Sequence, residues 1–233
     1  MKALAVVGWP LVGTASPSWH RQRLGGRPWS YRSVPLRPPL SRKQLRRIVE
    51  EFLAVNITSP HKGIALECAD RLTHAATQCK AVNLLIWKEG SLVGDNTDLP
   101  AFARTFRRLG ACEDQEWLVL GSGGAARAVS VALEGMGASS QIVSRSPIEE
   151  KGEVGYEEAI SSVEKVNGVV NATSVPCPPL SLDRLPADAW VVDLSYGKES
   201  AFLTEARQMG LRTEGGWGMF VDQARLSARR WKA

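Results

Sequence analysis

The chain has 233 residues, 44% of them hydrophobic and 23% charged, which is long enough for one large or two modest globular domains and rules out a low-complexity or fibrous chain. The net charge of +5 fits nucleic acid or small anionic ligands. The basic residues are spread along the chain, however, and the aromatics lack the basic interleaving of a base-stacking surface, so no nucleic-acid partner is expected. No apolar run approaches the roughly 18 residues of a membrane span, so no membrane partner is expected either. Cys68, Cys79, Cys112 and Cys177 form no C-x-x-C pair, and His20, His61 and His74 show no ligand spacing. A reduced, cytoplasmic, metal-free protein is the economical reading.

From the N-terminus, "KALAVVG" (2–8), "SYRSVPL" (30–36), "FLAVNIT" (52–58) and "AVNLLIW" (81–87) read as strands. "SRKQLRRIVEEF" (41–52) and "KGIALECADRL" (62–72) read as helices between them. The opening run is taken as a first strand and not a signal peptide, because Gly-Trp-Pro and polar residues follow it without a cleavage site. "TDLPAFARTFRRLG" (97–110) carries apolar residues at helical spacing and ends in a glycine stop.

The polar "GACEDQE" (110–116) separates this series from a second one. Its strands are "WLVLG" (117–121), "SSQIVSR" (139–145), "NGVVNAT" (167–173) and "AWVVDLS" (189–195). Helices are expected at 124–137, weakly at 155–165, at 199–210 and at 218–231. Alternating strands and helices predict βα units and largely parallel sheets, hence two α/β domains. These are residues 1–97 and 98–215, with the last helix, about 216–233, returning to pack on the first. The basic clusters "SRKQLRR" and "ARRWK" fall on helices and read as solvated faces.

"WLVLGSGGAARAV" is a strand, then Gly121-x-Gly123-x-x-Ala126, then a helix, the dinucleotide fingerprint in its G-x-G-x-x-A form. Gly121 allows the tight turn, Gly123 lets backbone approach a pyrophosphate, and the helix N-terminus offers N–H groups to it. An NAD site carries an acid about 20 residues on. Here the next strand ends Ser144-Arg145-Ser146 without one, and a guanidinium fork suits a phosphate, so NADP(H) is expected.

Polar residues also gather at the strand ends of the first half. They are Thr14 and Ser16, then Asn56, Thr58 and Lys62, then Asn83, and last Asn96, Thr97 and Asp98. Ligands of open α/β sheets collect outside such ends. Taken singly, each is open to a humbler role: Asp98 as a cap of the helix it begins, Ser16 as a cap of the helix after Pro17, Lys62 as a wet loop lysine.

In order along the chain, "NITSPHK", "KAVNL", "GDNTD", "LGSGGAARA", "VVNATS", "VVDLSYG" and "GWGMFVDQA" make this sequence resemble the shikimate dehydrogenase family nearly end to end. The resemblance implies an N-terminal substrate-binding open sheet and a Rossmann-like nucleotide-binding domain with a cleft between them. It implies reversible reduction of 3-dehydroshikimate to shikimate with NADPH, in a monomer or homodimer. By motif, Lys62 and Asp98 would be the catalytic pair, and Thr14 and Ser16 would bind the substrate carboxylate. Thr58, Asn83, Tyr196 and Gln223 would line the pocket for the ring hydroxyls. Gly121, Gly123, Gly124, Ala125, Ser144 and Arg145 would hold the cofactor, with Asn171 and Thr173 beside it and Gly216 and Met219 near the nicotinamide.

The sequence departs from the family pattern at Trp9, at Thr14 where serine is usual, at Pro176, and at Gly197-Lys198-Glu199. A quinate/shikimate dehydrogenase using NAD and a non-catalytic metabolite sensor are the alternatives. Arg145 speaks against the first, and the intact Lys62 and Asp98 against the second.

Overall fold

The protein was analysed as a computed structural model, which describes residues 2–24, 29–197 and 200–232. The departure at Lys198-Glu199 and the expected helix start at 199 therefore lie outside the described residues. The chain divides into two compact units: residues up to Leu99 together with those from Asp222 onward, and Pro100–Val221.

The first unit is built on a six-stranded sheet. Its strands are β1 (Lys2–Gly8), β2 (Trp29–Pro35), β3 (Ala54–Ile57), β4 (Arg71–Leu72), β5 (Leu84–Lys88) and β6 (Ser91–Asp95), in the order β2-β1-β3-β5-β6-β4. Helices α1 (Ser16–Leu24), α2 (Arg42–Val49), α3 (Lys62–Cys68) and α4 (His74–Cys79) run between strands. β1, β2 and β3 are parallel because a helix returns the chain after each.

β5 breaks the expected parallel pattern, pairing antiparallel with both β3 and β6. The cause of the second pairing is local. Glu89 and Gly90 have φ of 50° and 75°, the left-handed pair that closes a two-residue hairpin. The helix expected over 62–72 also stops early, at Cys68. Asp70 is held there by the Arg46 guanidinium at 2.7 and 3.0 Å and by the Leu92 N–H at 2.8 Å, which draws Arg71–Leu72 alongside β6. That guanidinium keeps the Asp70 carboxyl down at about 2. β4, β6 and α4 had not been expected, being short or built around glycine and polar residues.

One face of this sheet packs on α2 and α3. Leu45 and Val49 of α2 are fully buried there, worth roughly 1.5–3 kcal/mol each. A capping box, Ser41 with Gln44, starts that helix. The other face is aromatic: His20 of α1 stacks on Tyr31 at 4.6 Å and meets Trp231 at 4.6 Å. Burial, with Arg23 adding its charge, pushes the His20 imidazole down to about 3. The folded state therefore holds His20 neutral while the unfolded chain protonates it near 6.5. The stability this contributes is complete above about pH 6.5 and is lost as pH falls towards about 3, by up to about 5 kcal/mol. Urea titrations between about pH 7 and about pH 4 should show it, and His20→Phe should flatten that slope.

The second unit carries β7 (Glu116–Leu120), β8 (Ser139–Val143), β9 (Gly168–Asn171), β10 (Trp190–Asp193) and β11 (Arg212–Gly215) in the order β11-β10-β9-β7-β8, all parallel. Its helices are most of α5 (Asp98–Leu109), then α6 (Gly124–Glu134), α7 (Tyr156–Ser162) and α8 (Ala201–Gln208), while α9 (Trp217–Lys232) starts in it and belongs to the first unit from Asp222 onward. β11 was not expected, since its Arg-Thr-Glu-Gly lacks the apolar pattern of the buried strands. Chain continuity makes α5 begin in the first unit's sequence and α9 end there. A core of Leu118, Leu120, Val169, Val191, Phe202 and their neighbours fills one side of the sheet. The α/β class expected from the sequence holds for both units.

Among the described residues, no helix is long and apolar enough to cross a membrane.

Candidate active site

Successive connections leave to opposite sides between β1 and β3 in the first sheet and between β7 and β9 in the second. Such switch points open a crevice beyond the strands' carboxyl ends. The first crevice is framed by Gly8 and Thr58. The Thr58 N–H donates to the Val7 carbonyl and the Trp9 N–H to the Ser59 carbonyl, both at 2.9 Å. A β-carbon on Gly8 would fall 2.2 Å from Thr58 Cγ2, so these strand ends close only around glycine. Gly8→Ala is expected to cost about 1–3 kcal/mol of stability by overpacking and to displace Thr58, read by denaturant titration.

Lys62 follows as the first residue of α3. The turn before it is held by His61, whose Nε2 lies 2.7 Å from the Leu36 carbonyl. Lys62 Nζ donates to Asp98 Oδ2 at 2.7 Å, with the side chains only 15% and 6% exposed. Asp98 is not the cap of α5. Asn96 takes that place, its Oδ1 accepting from the N–H groups of Asp98 (3.0 Å) and Leu99 (3.1 Å). The Asp98 carboxylate is thereby left for the lysine, near a helix N-terminus that favours its charge.

Asn83 is held by Thr97. Its Oδ1 accepts from the Thr97 N–H at 2.8 Å, and its Nδ2 donates to Thr97 Oγ1 at 3.0 Å. Ser16 does not cap α1 with its side chain. Its Oγ lies 2.8 Å from the Tyr31 hydroxyl, which in turn donates to Asn56 Oδ1 at 3.0 Å. Thr14 is half-buried two residues earlier, its Oγ1 3.5 Å from the Ser16 nitrogen. Gln223 is half-buried on α9, one turn before Ser227.

Ser227 escaped the sequence reading. It is fully buried and accepts from Asn56 Nδ2 at 3.0 Å. Its spacing of four from Gln223, which puts both on one helix face, was the only signal for it. The solvated faces expected of the two basic clusters hold only in part: Arg46 binds Asp70, and Arg230 binds the buried Asp95.

In the second unit, Gly121 has φ 108°, and a β-carbon there would fall 3.1 Å from Thr173 Cγ2. Gly123 starts α6 as its cap and has open space where a side chain would stand, with Gly124 and Ala125 following in the first turn. Arg127, another residue not foreseen, donates to the Ser122 carbonyl at 2.9 Å and ties the helix to the loop. Thr173 is oriented by Asn171, whose Oδ1 accepts from its N–H and hydroxyl, while Asn171 Nδ2 donates to the Val175 carbonyl and to Asp193. Ser144 is buried with its Oγ 3.5 Å from Ser122 Oγ, and Arg145 is exposed at the end of β8. A loop, a helix N-terminus and an exposed guanidinium at one switch point suit a phosphorylated dinucleotide.

Tyr196, Gly216 and Met219 belong to the second unit, and the Lys62 group belongs to the first. Tyr196 stacks at 4.5 Å on Phe220 and, with Gly216, Ser195 and Trp217, lines a hollow of about 190 Å³. Gly216 admits no side chain, since a β-carbon would lie 2.2 Å from the Leu194 carbonyl oxygen.

Residues 6–85 match the family model described as the shikimate dehydrogenase substrate binding domain. A shikimate dehydrogenase (NADP(+)) of Methylocella silvestris is 34% identical over 98% of this chain and 89% of its own length. The shikimate 5-dehydrogenase of Thermus thermophilus, solved in complex with NADP(H) and shikimate, superposes with a TM-score of 0.84 at 32% identity, over 99% of this chain and 93% of that one. A quinate dehydrogenase from Corynebacterium glutamicum, solved in complex with NAD, gives 0.82 at 26%, over 99% and 93%. With near-complete coverage at that identity, and with both switch points furnished as described, the chain belongs to the shikimate dehydrogenase family.

Proposed function

We propose that this protein is an NADP-dependent shikimate dehydrogenase, reversibly reducing 3-dehydroshikimate to shikimate. The observation that carries the reading is the short, nearly buried Lys62–Asp98 pair at the carboxyl ends of β3 and β6. Bound NADPH supplies the hydride that reaches the ketone carbon. The oxygen then needs a proton, and the Lys62 ammonium is the group to stabilise the developing charge and donate it. Asp98 orients that ammonium, and in the reverse direction Lys62 takes the alcohol proton.

The remaining roles are those the family's motifs imply. By the family's motifs Thr14 and Ser16 take the substrate carboxylate, and Thr58, Asn83 and Gln223, all of the first unit, take the ring hydroxyls. Asn83 gives one Nδ2 hydrogen to Thr97 and keeps the second for a ring hydroxyl. Gly121, Gly123, Gly124 and Ala125 receive the pyrophosphate, and Ser144 and Arg145 the 2′-phosphate side of the adenosine. Asn171 shapes the loop that presents Thr173, and Gly216 and Met219 lie by the nicotinamide. The first unit takes the substrate and the second the cofactor, in a cytoplasmic monomer or homodimer.

The test is a comparison of NADP⁺ and NAD⁺ reduction by the purified protein with shikimate and with quinate. Turnover favouring shikimate with NADP⁺ is expected. Preference for quinate with NAD⁺, or tight shikimate binding without turnover in any mixture, would overturn the reading.

A further inference from the structure

Helix α9 grips the segment carrying Asp98 at two points, three residues apart and so on one helix face. Ser227 Oγ lies 3.1 Å from Thr97 Oγ1, next to Asp98 in the chain. Arg230 Nε donates at 3.0 Å to Asp95 Oδ2, and that carboxylate is 4% exposed. The other Asp95 oxygen accepts from Thr73 Oγ1 at 2.6 Å and from the Asn96 N–H at 2.8 Å.

Proton counting shows what Ser227 does. Tyr31 spends its one proton on Asn56 Oδ1, which can only accept, so Ser16 must be the donor in its contact with Tyr31. Asn56 Nδ2 donates to Ser227, and the Thr97 hydroxyl gives its proton to Asn83 Oδ1 at 3.3 Å, so Ser227 is the donor to Thr97. The result is one buried chain, Ser16–Tyr31–Asn56–Ser227–Thr97–Asn83. Ser227 is the link that joins the β1–β3 side to the Asp98 side. Without it, Asn56 and Thr97 each lose a partner in a buried place.

We propose that Ser227 and Arg230 are positioning residues for the dehydrogenase reaction, fixing the Asp95–Asp98 backbone and with it the aim of the Asp98 carboxylate at Lys62. This rests on the proposed function. Neither side chain touches the reacting atoms.

The experiment compares the full chain with Ser227→Ala, Ser227→Cys and Arg230→Met. It reads kcat, KM for shikimate, KM for NADP⁺ and amide hydrogen exchange. Ser227→Ala should lower kcat about ten-fold while KM for NADP⁺ stays within about two-fold. Exchange at Thr97 and Asp98 should quicken about ten-fold, with β7–β9 unchanged. Ser227→Cys keeps a weak donor and acceptor in place and should fall between. Arg230→Met, at a half-exposed position, gives the same local pattern even where Ser227→Ala does not fold.

Parent-like kcat in Ser227→Ala and Arg230→Met, or a loss matched by faster exchange throughout the chain, would overturn the proposal. A parent protein that does not oxidise shikimate would instead overturn the proposed function. The exchange pattern would then still decide whether Ser227 holds Thr97 and Asp98.

Discussion

Lys62→Ala is expected to lower kcat for shikimate oxidation by about 10²–10⁴-fold, the usual contribution of a positioned acid–base group. KM for shikimate should change far less, because the lysine acts on charge that develops during the reaction and not on the bound ground state. The same substitution strands Asp98, which is 6% exposed, without its cation. Removing one partner of a buried pair typically costs about 3–5 kcal/mol, so a fall in melting temperature should accompany the kinetic loss. Asp98→Asn keeps an acceptor oxygen while removing the charge, and should sit between the parent and Lys62→Ala. Lys62→Ala turnover within a few-fold of the parent would remove the lysine from the chemistry.

Arg145→Ala is expected to raise KM for NADP⁺ by about 10–100-fold, since a hydrogen bond to a charged group is worth roughly 1.5–3 kcal/mol. KM for NAD⁺, which lacks the 2′-phosphate, should stay within about two-fold. The side chain is exposed at the end of β8, where an acidic residue would otherwise hold the ribose hydroxyls. Steady-state kinetics with both cofactors decides it. An equal loss with each would assign Arg145 to general charge or folding and leave the cofactor preference unexplained.

Much of this was legible in the sequence because the informative features are local. The glycine loop names its own strand, turn and helix, and the structure places Gly121 at the positive φ such a turn demands. Asp98 marks where local reading reaches its limit. A carboxylate at a helix start is as easily a cap as a partner, and only the capture of that role by Asn96 separates the two.

The antiparallel β5–β6 hairpin was missed because its signal is the two-residue Glu89-Gly90 turn, which lacks the Asn-Gly or Asp-Gly of the commonest hairpins. Ser227, Tyr31 and Arg230 were missed for a different reason. Their partners stand 171, 25 and 135 residues away in sequence, and nothing in a single serine or arginine points across such distances.

The most direct measurement of the central claim is a single turnover with shikimate deuterated at the carbon that becomes the ketone, with NADP⁺ and the parent protein. The deuterium is expected in NADPH, one per shikimate oxidised, and Lys62→Ala is expected to slow its appearance without changing where it goes. NADPH free of deuterium, or no NADPH at all, would contradict it.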